Sequence, residues 1–316
     1  MFAMMAIAAS IRLKIVINVS SSAFKKHTSS ISIQSGNIRL YTKSFGNSAD
    51  PSVLLIAGAG APGSFWPDIF CEFLAQQGYF VIRFDHRDIG LSTHFLSCNA
   101  FNNGPYTMYD LVDDVIGIMD AYDIKQAHLI GHSMGGYLVE LISVIKPERI
   151  MAGCIISAGP LATNTLNLPA PTAETWSILM SNQPVGNFEQ DWPGWLTSWQ
   201  YLNGLYPFDE AMAKSYTENI YKNPQDIGIA YNHIAAQVVT YQEDFPNVLR
   251  EIKSPILIIH GEQDPLVPVA HGKALHQLIL PSILHLIPKA GHMFFNADLW
   301  LTLGKVIAQF LKDYRA

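Results

Sequence analysis

The chain has 316 residues, 49% of them apolar and 15% charged, with a formal net charge of −6. That length and apolar content suffice for a large buried core, and α/β domains of this size commonly stay single. A negative balance with no basic cluster beyond Lys25-Lys26 argues against a nucleic-acid surface.

Residues 1–9 are apolar, but Arg12 and Lys14 close the run well short of the ~20 residues a membrane helix needs, so no integral membrane segment is expected. For residues 1–28 three readings stay open: a secretory signal, an extra strand over 11–19, or an extension from an upstream start. The Ser-rich stretch 20–30 reads as a linker. Residues 31–34 and 38–45 then form a hairpin pattern around Ser35-Gly36-Asn37. Strand patterns near 53–57, 79–84, 126–131 and 151–157 alternate with helical ones near 66–77, 107–121 and 134–146. Thr107 and Asp110 make a capping-box pattern ahead of Leu111, Val112, Val115, Ile118 and Met119.

Between Gly159 and about Asn247 the alternation breaks. This stretch carries Trp176, Trp192, Trp195 and Trp199 with several tyrosines, and reads as a helical cap inserted after the strand holding Cys154. Buried-strand runs return at 255–260 and 283–287, around a helix near 270–280. The expected fold is α/β, a mostly parallel sheet with helices on both faces. Its core spans 29–159 and 248–316, and the helical cap 160–247.

The most informative segment is Leu129-Ile130-Gly131-His132-Ser133-Met134-Gly135-Gly136. An apolar strand followed at once by G-x-S-x-G and a helical pattern means a sharp turn that lifts a serine hydroxyl above the sheet. Ser133 is the expected nucleophile, and the Met134 N–H, at the helix start, can stabilise developing negative charge. Downstream, Gly261-Glu262-Gln263-Asp264-Pro265 follows one strand and Pro288-Lys289-Ala290-Gly291-His292 follows the next. Nucleophile, acid and histidine thus occur in the order of an α/β-hydrolase triad. Glu262 rivals Asp264 as the acid, but only His292 lies both past the acid and on a glycine-preceded loop. The second oxyanion donor is expected from Gly58-Ala59-Gly60-Ala61, at Ala59. That loop lacks both G-x-G-x-x-G and a P-loop lysine, so phosphate binding is disfavoured.

These residues resemble the α/β-hydrolase superfamily over roughly residues 30–314. Val81-Ile82-Arg83-Phe84-Asp85-His86-Arg87-Asp88-Ile89-Gly90-Leu91-Ser92 resembles the D-x-R-G-x-G-x-S segment of most members, with Asp88 where they carry Gly. Together with Trp66-Pro67-Asp68, this is similar to the anthracycline (aclacinomycin) methylesterase branch. The resemblance implies Ser133, Asp264 and His292 as the triad, Ala59 and Met134 as oxyanion donors, and methyl-ester hydrolysis on a bulky polyketide. Ala57 departs from the family pattern, which often has the His of an H-G pair there.

Cys71, Cys98 and Cys154 read as buried thiols in a reducing compartment, which places the chain in the cytoplasm. With no C-x-x-C or H-E-x-x-H spacing, neither a metal nor a cofactor is implied. The expected partner is a small-molecule ester, of medium to bulky apolar character, with Trp195 and Trp199 as candidate pocket walls. The alternatives are a cofactor-free lyase or perhydrolase on the same fold, or a non-catalytic ligand-binding module. Oligomeric state is not legible.

Overall fold

The computed structural model describes residues 28–95, 104–161, 166–223, 230–238 and 245–314. Readings that fall on residues 1–27, and on Cys98, lie outside them. The sheet has eight strands: β1 (Thr28–Ser35), β2 (Ile38–Phe45), β3 (Ser52–Ile56), β4 (Phe80–Phe84), β5 (Ala127–His132), β6 (Ile150–Ile156), β7 (Ile256–Gly261) and β8 (Ser282–Ile287). They lie in the order β1-β2-β4-β3-β5-β6-β7-β8. β1 and β2 form an antiparallel hairpin, β2 joins β4 antiparallel, and every pairing from β4 through β8 is parallel.

Alternation along the strands divides the core into two layers. In β3, Leu54 and Ile56 face one cluster while Val53 and Leu55 face the other. The first is covered by α2 (Met108–Ala121), α3 (Met134–Ile145) and α9 (Ala270–Leu278), through Leu111, Val115, Leu138, Val139 and Leu275. The second is covered by α1 (Asp68–Gln76) and α10 (Ala297–Lys312), through Phe70, Leu74, Trp300, Leu303 and Ile307. Thr107 and Asp110 close the capping box of α2, with the Thr107 N–H donating to Asp110 Oδ2 at 2.8 Å.

Between β6 and β7 lie α4 (Ala173–Ser181), α5 (Phe188–Asn203), α6 (Glu210–Tyr221), α7 (Ala230–Val238) and the short α8 (Phe245–Leu249). Two sequence expectations need correction. The helix expected near 66–77 is α1, but it starts later: Trp66 is extended and α1 begins only after Pro67, because a proline disfavours helical geometry in the residue before it. The linker reading of 20–30 also fails at its end, since Thr28, Ser29 and Ser30 already pair with Phe45, Ser44 and Lys43. No helix among the described residues is long and apolar enough to cross a membrane.

Parallel strands end on the same edge. The loops after β3, β5, β7 and β8 therefore converge there, and they carry Ala59, Ser133, Asp264 and His292.

Candidate active site

Ser133 joins β5 to α3 at φ 52° and ψ −118°, a conformation that costs roughly 1–3 kcal/mol for a non-glycine residue. Its own N–H donates to Ile156 O at 2.9 Å, and its carbonyl accepts from Gly136 N–H at 2.8 Å. Small residues on either side make the turn feasible. A Cβ on Gly131 would stand 2.0 Å from Gly135 O, and one on Gly135 2.2 Å from Ile56 O. The Met134 N–H belongs to the first turn of α3, where no carbonyl of the helix is placed to accept it. Ser133 itself is half-exposed.

Asp264 is 5% exposed, whereas its rival Glu262 is exposed. Asp264 Oδ1 accepts the N–H groups of Leu266 (2.9 Å) and Val267 (2.8 Å), and Oδ2 stands 2.8 Å from His292 Nδ1. His260 Nε2 is 3.6 Å from the same oxygen and donates to Val267 O at 2.7 Å. Burial alone would raise the Asp264 pKa. The His292 ring, His260 and the Val267 N–H outweigh it and hold the carboxyl below its usual value.

His292 is fixed through its backbone. Its N–H donates to Leu202 O at 2.6 Å, and its carbonyl accepts from His132 Nε2 at 2.9 Å. The residue preceding the serine thus braces the histidine, and their rings lie 4.9 Å apart. Burial pushes the His132 pKa down to about 3, so the ring is neutral and donates from Nε2. Among the described residues no hydrogen bond joins Ser133 Oγ to His292 Nε2.

The glycine loop runs beside the serine: a Cβ on Gly58 would lie 3.3 Å from Ser133 Cβ. Gly58 O accepts the Ala61 N–H at 3.2 Å, the Gly60 N–H donates to His233 Nδ1 at 2.9 Å, and the Gly63 N–H donates to Asp85 Oδ1 at 2.8 Å. Among these amides the Ala59 N–H has no hydrogen-bond partner among the described residues.

The segment after β4 is structural. Arg87 forks onto Asp114 with two contacts of 2.7 Å. Asp88 sits at φ 69°, which explains why glycine is the usual residue at that position. Its carboxylate accepts from Tyr106 Oη at 2.7 Å and Asn232 Nδ2 at 2.8 Å, tying α7 to the core. Asn232 and His233 had no motif to announce them. Both are completely buried.

Trp195 and Trp199 stack at 4.9 Å, and their indole N–H groups donate to Tyr221 Oη and Thr217 Oγ1. Trp199 is buried against Tyr216 and Phe295, while Trp195 stays half-buried. From Tyr216 ring contacts continue to Phe65, which stacks on His132 at 4.4 Å. A cleft of about 620 Å³ is lined by Phe65 together with Arg83, Asp85, Tyr216 and Phe294. Ser133, His292 and the two tryptophans do not line it.

The family described as alpha/beta hydrolase fold matches residues 51–296. Rhodomycin D methylesterase of Streptomyces sp. (strain C5) is 29% identical over 278 residues, covering 82% of this chain and 91% of that protein. The 3-oxoadipate enol-lactonase 2 of Acinetobacter baylyi is 27% identical over 262 residues, covering 81% of this chain and 87% of that one. Among solved structures, the 2-hydroxy-6-oxo-6-phenylhexa-2,4-dienoate hydrolase of Rhodococcus sp. strain RHA1 superposes with a TM-score of 0.71 at 18% identity, over 95% of this chain and 100% of that one. This last likeness concerns the fold alone.

Proposed function

Because the chain belongs to the alpha/beta hydrolase fold family, we propose that it hydrolyses a carboxylic ester, of medium-to-bulky apolar character, through an acyl-enzyme on Ser133. The observation that carries this reading is the buried Asp264–His292 pair. With Asp264 Oδ1 occupied by two amides and Oδ2 on His292 Nδ1, the imidazole is held in the tautomer whose Nε2 is free to take a proton. Ser133 Oγ attacks the acyl carbonyl while its proton passes to His292 Nε2. The oxyanion is held by the N–H groups of Ala59 and Met134. Collapse expels the alcohol, protonated by His292. A water that gives its proton to His292 then attacks the acyl group, the bond to Ser133 Oγ breaks, and His292 returns the proton to Oγ as the acid leaves.

A methylesterase among the relatives favours a methyl ester of a bulky acid, and the stacked Trp195 and Trp199 supply apolar wall area for it. The test is a panel of esters varied separately in acyl and alcohol size, run on the wild type and Ser133→Ala. We expect methyl esters of polycyclic acids to outpace acetates of bulky alcohols, and Ser133→Ala to abolish both. Turnover of acetates alone would remove the bulky-acyl reading. Aldehyde release or peracid formation without ester turnover would replace it with lyase or perhydrolase chemistry.

A further inference from the structure

We propose that His233, on α7, is a positioning residue that fixes the turn presenting the Ala59 N–H, by capturing the Gly60 N–H next to it. The proposal rests on the reading of Ala59 as an oxyanion donor. Residues 58–61 form a turn closed by the Ala61 N–H on Gly58 O at 3.2 Å, with Gly60 at φ +68°. A positive φ at the third position marks the form in which the central peptide is flipped relative to the commoner turn. The closing hydrogen bond ties the first peptide, through Gly58 O, to the third, through the Ala61 N–H, and leaves the turn free to distort at the central peptide between them. Because the first peptide is trans, its N–H, which is that of Ala59, points away from the bond that Gly58 O makes.

The central peptide, between Ala59 and Gly60, is held by His233. Its Nδ1 accepts the Gly60 N–H at 2.9 Å, and its Nε2–H donates to Arg87 O at 3.0 Å. Arg87 is itself clamped by Asp114, so the donor side of the ring has a rigid anchor. A flipped central peptide would present the Ala59 carbonyl to the Nδ1 lone pair, acceptor against acceptor. Only one form of the turn is therefore compatible with this ring. Burial lowers the His233 pKa to about 4, which keeps Nδ1 unprotonated at neutral pH. Asn232, the preceding residue, donates to Asp88, so α7 is pinned at two successive positions to the segment after β4. A loop with two glycines in four residues has little stiffness of its own, and a preorganised donor is worth far more to a transition state than a mobile one.

The test compares His233→Leu, His233→Asn and Ala59→Pro with the wild type. Chromogenic ester kinetics are normalised to serines titrated with a fluorophosphonate, and thermal unfolding is followed on the same samples. Asn places an amide oxygen where Nδ1 stood, and Leu is its apolar counterpart. We expect His233→Leu to lose about 30–300-fold in kcat per titrated serine with KM nearly unchanged, approaching the loss of one oxyanion donor. His233→Asn should recover to within about tenfold of wild type. A purely structural role would lower the titratable fraction and Tm but leave kcat per titrated serine intact, and that result overturns the proposal. So does a His233→Asn variant as slow as His233→Leu. If His233→Leu does not fold, His233→Asn decides alone: within about tenfold upholds the proposal, a larger loss overturns it. Ala59→Pro removes the N–H at a turn position that tolerates proline. If it keeps full kcat, the oxyanion reading itself fails. If it is slow while His233→Leu is fast, that reading stands and only the role of His233 falls.

Discussion

The carboxyl edge of the sheet and the inserted helices hold their residues by different means. At the edge, backbone does the work: Ser133 is set by its φ and by Ile156 O, Asp264 by two amides, and His292 by Leu202 O. In the insert, side chains hold one another. Asp191 accepts from Tyr221, which accepts from Trp195, and Trp199 is tied to Thr217. The two systems meet where Leu202, Asn203 and Leu205 pair with residues 289–293, so the loop carrying His292 is partly built by the end of α5. Backbone-held positions tolerate little change of geometry. Side-chain networks lose members more gradually.

That contrast sets the order of expected effects. Apart from loss of the nucleophile itself, the largest belongs to the edge: Asp264→Asn should keep the fold but lose about 10⁴ in kcat through the wrong imidazole tautomer, while Glu262→Gln stays near wild type. The reverse outcome in steady-state kinetics would move the acid to 262.

Next comes acid sensitivity. Burial lowers the pKa of His86 and His132 to about 3 and of His233 to about 4. An unfolded histidine binds its proton below about pH 6.5, so between pH 4 and 6.5 the unfolded state holds more protons than the folded one. Their contribution to stability is fully present above that range and is lost as pH falls through it. Glu140, whose carboxyl burial pushes well up, acts in the opposite sense above its ordinary value. Unfolding in that range therefore takes up protons at these rings, and Glu140 offsets part of the uptake. Denaturant melts at pH 7, 6 and 5 should show falling midpoints. A flat profile would mean that these rings are not buried neutral.

Gly135→Ala probes the close approach of α3 to β3. Its methyl would sit 2.2 Å from Ile56 O, and we expect about 3 kcal/mol of destabilisation together with lost activity. Full activity and an unchanged midpoint would show that the turn relaxes more easily than backbone control implies.

The smallest effect belongs to the insert. Trp195→Ala should penalise bulky methyl esters by about 1–3 kcal/mol in kcat/KM and small acetates much less. Equal losses tracking a lower Tm would make the stacked tryptophans packing residues only.

Legibility in the sequence divides along the same line. The strands near 53–57, 126–131 and 255–260 were readable because parallel strands buried on both faces appear as short, mostly apolar runs. Glycine-punctuated loops after the strands near 126–131, 255–260 and 283–287 carry Ser133, Asp264 and His292. The break at Pro67 was readable in principle, and the restriction on the residue before proline explains it. Asn232 and His233 were not readable. Their partners lie 144 to 173 positions away, and nothing local distinguishes them from surface polar residues of a helix. Trp195 and Trp199 were visible as aromatics, but their stacking depends on Thr217 and Tyr221 in another helix.

The central claim is a covalent intermediate on Ser133. The wild type and Ser133→Ala should be incubated with a fluorophosphonate and, separately, quenched early in turnover of a slow ester, then analysed by intact mass and peptide mapping. The account predicts one adduct per wild-type chain, on the peptide containing Ser133, none on Ser133→Ala, and a loss of about 10⁴–10⁶ in kcat for that variant. An adduct on another residue, or a Ser133→Ala variant that keeps more than about a tenth of the activity, would contradict it.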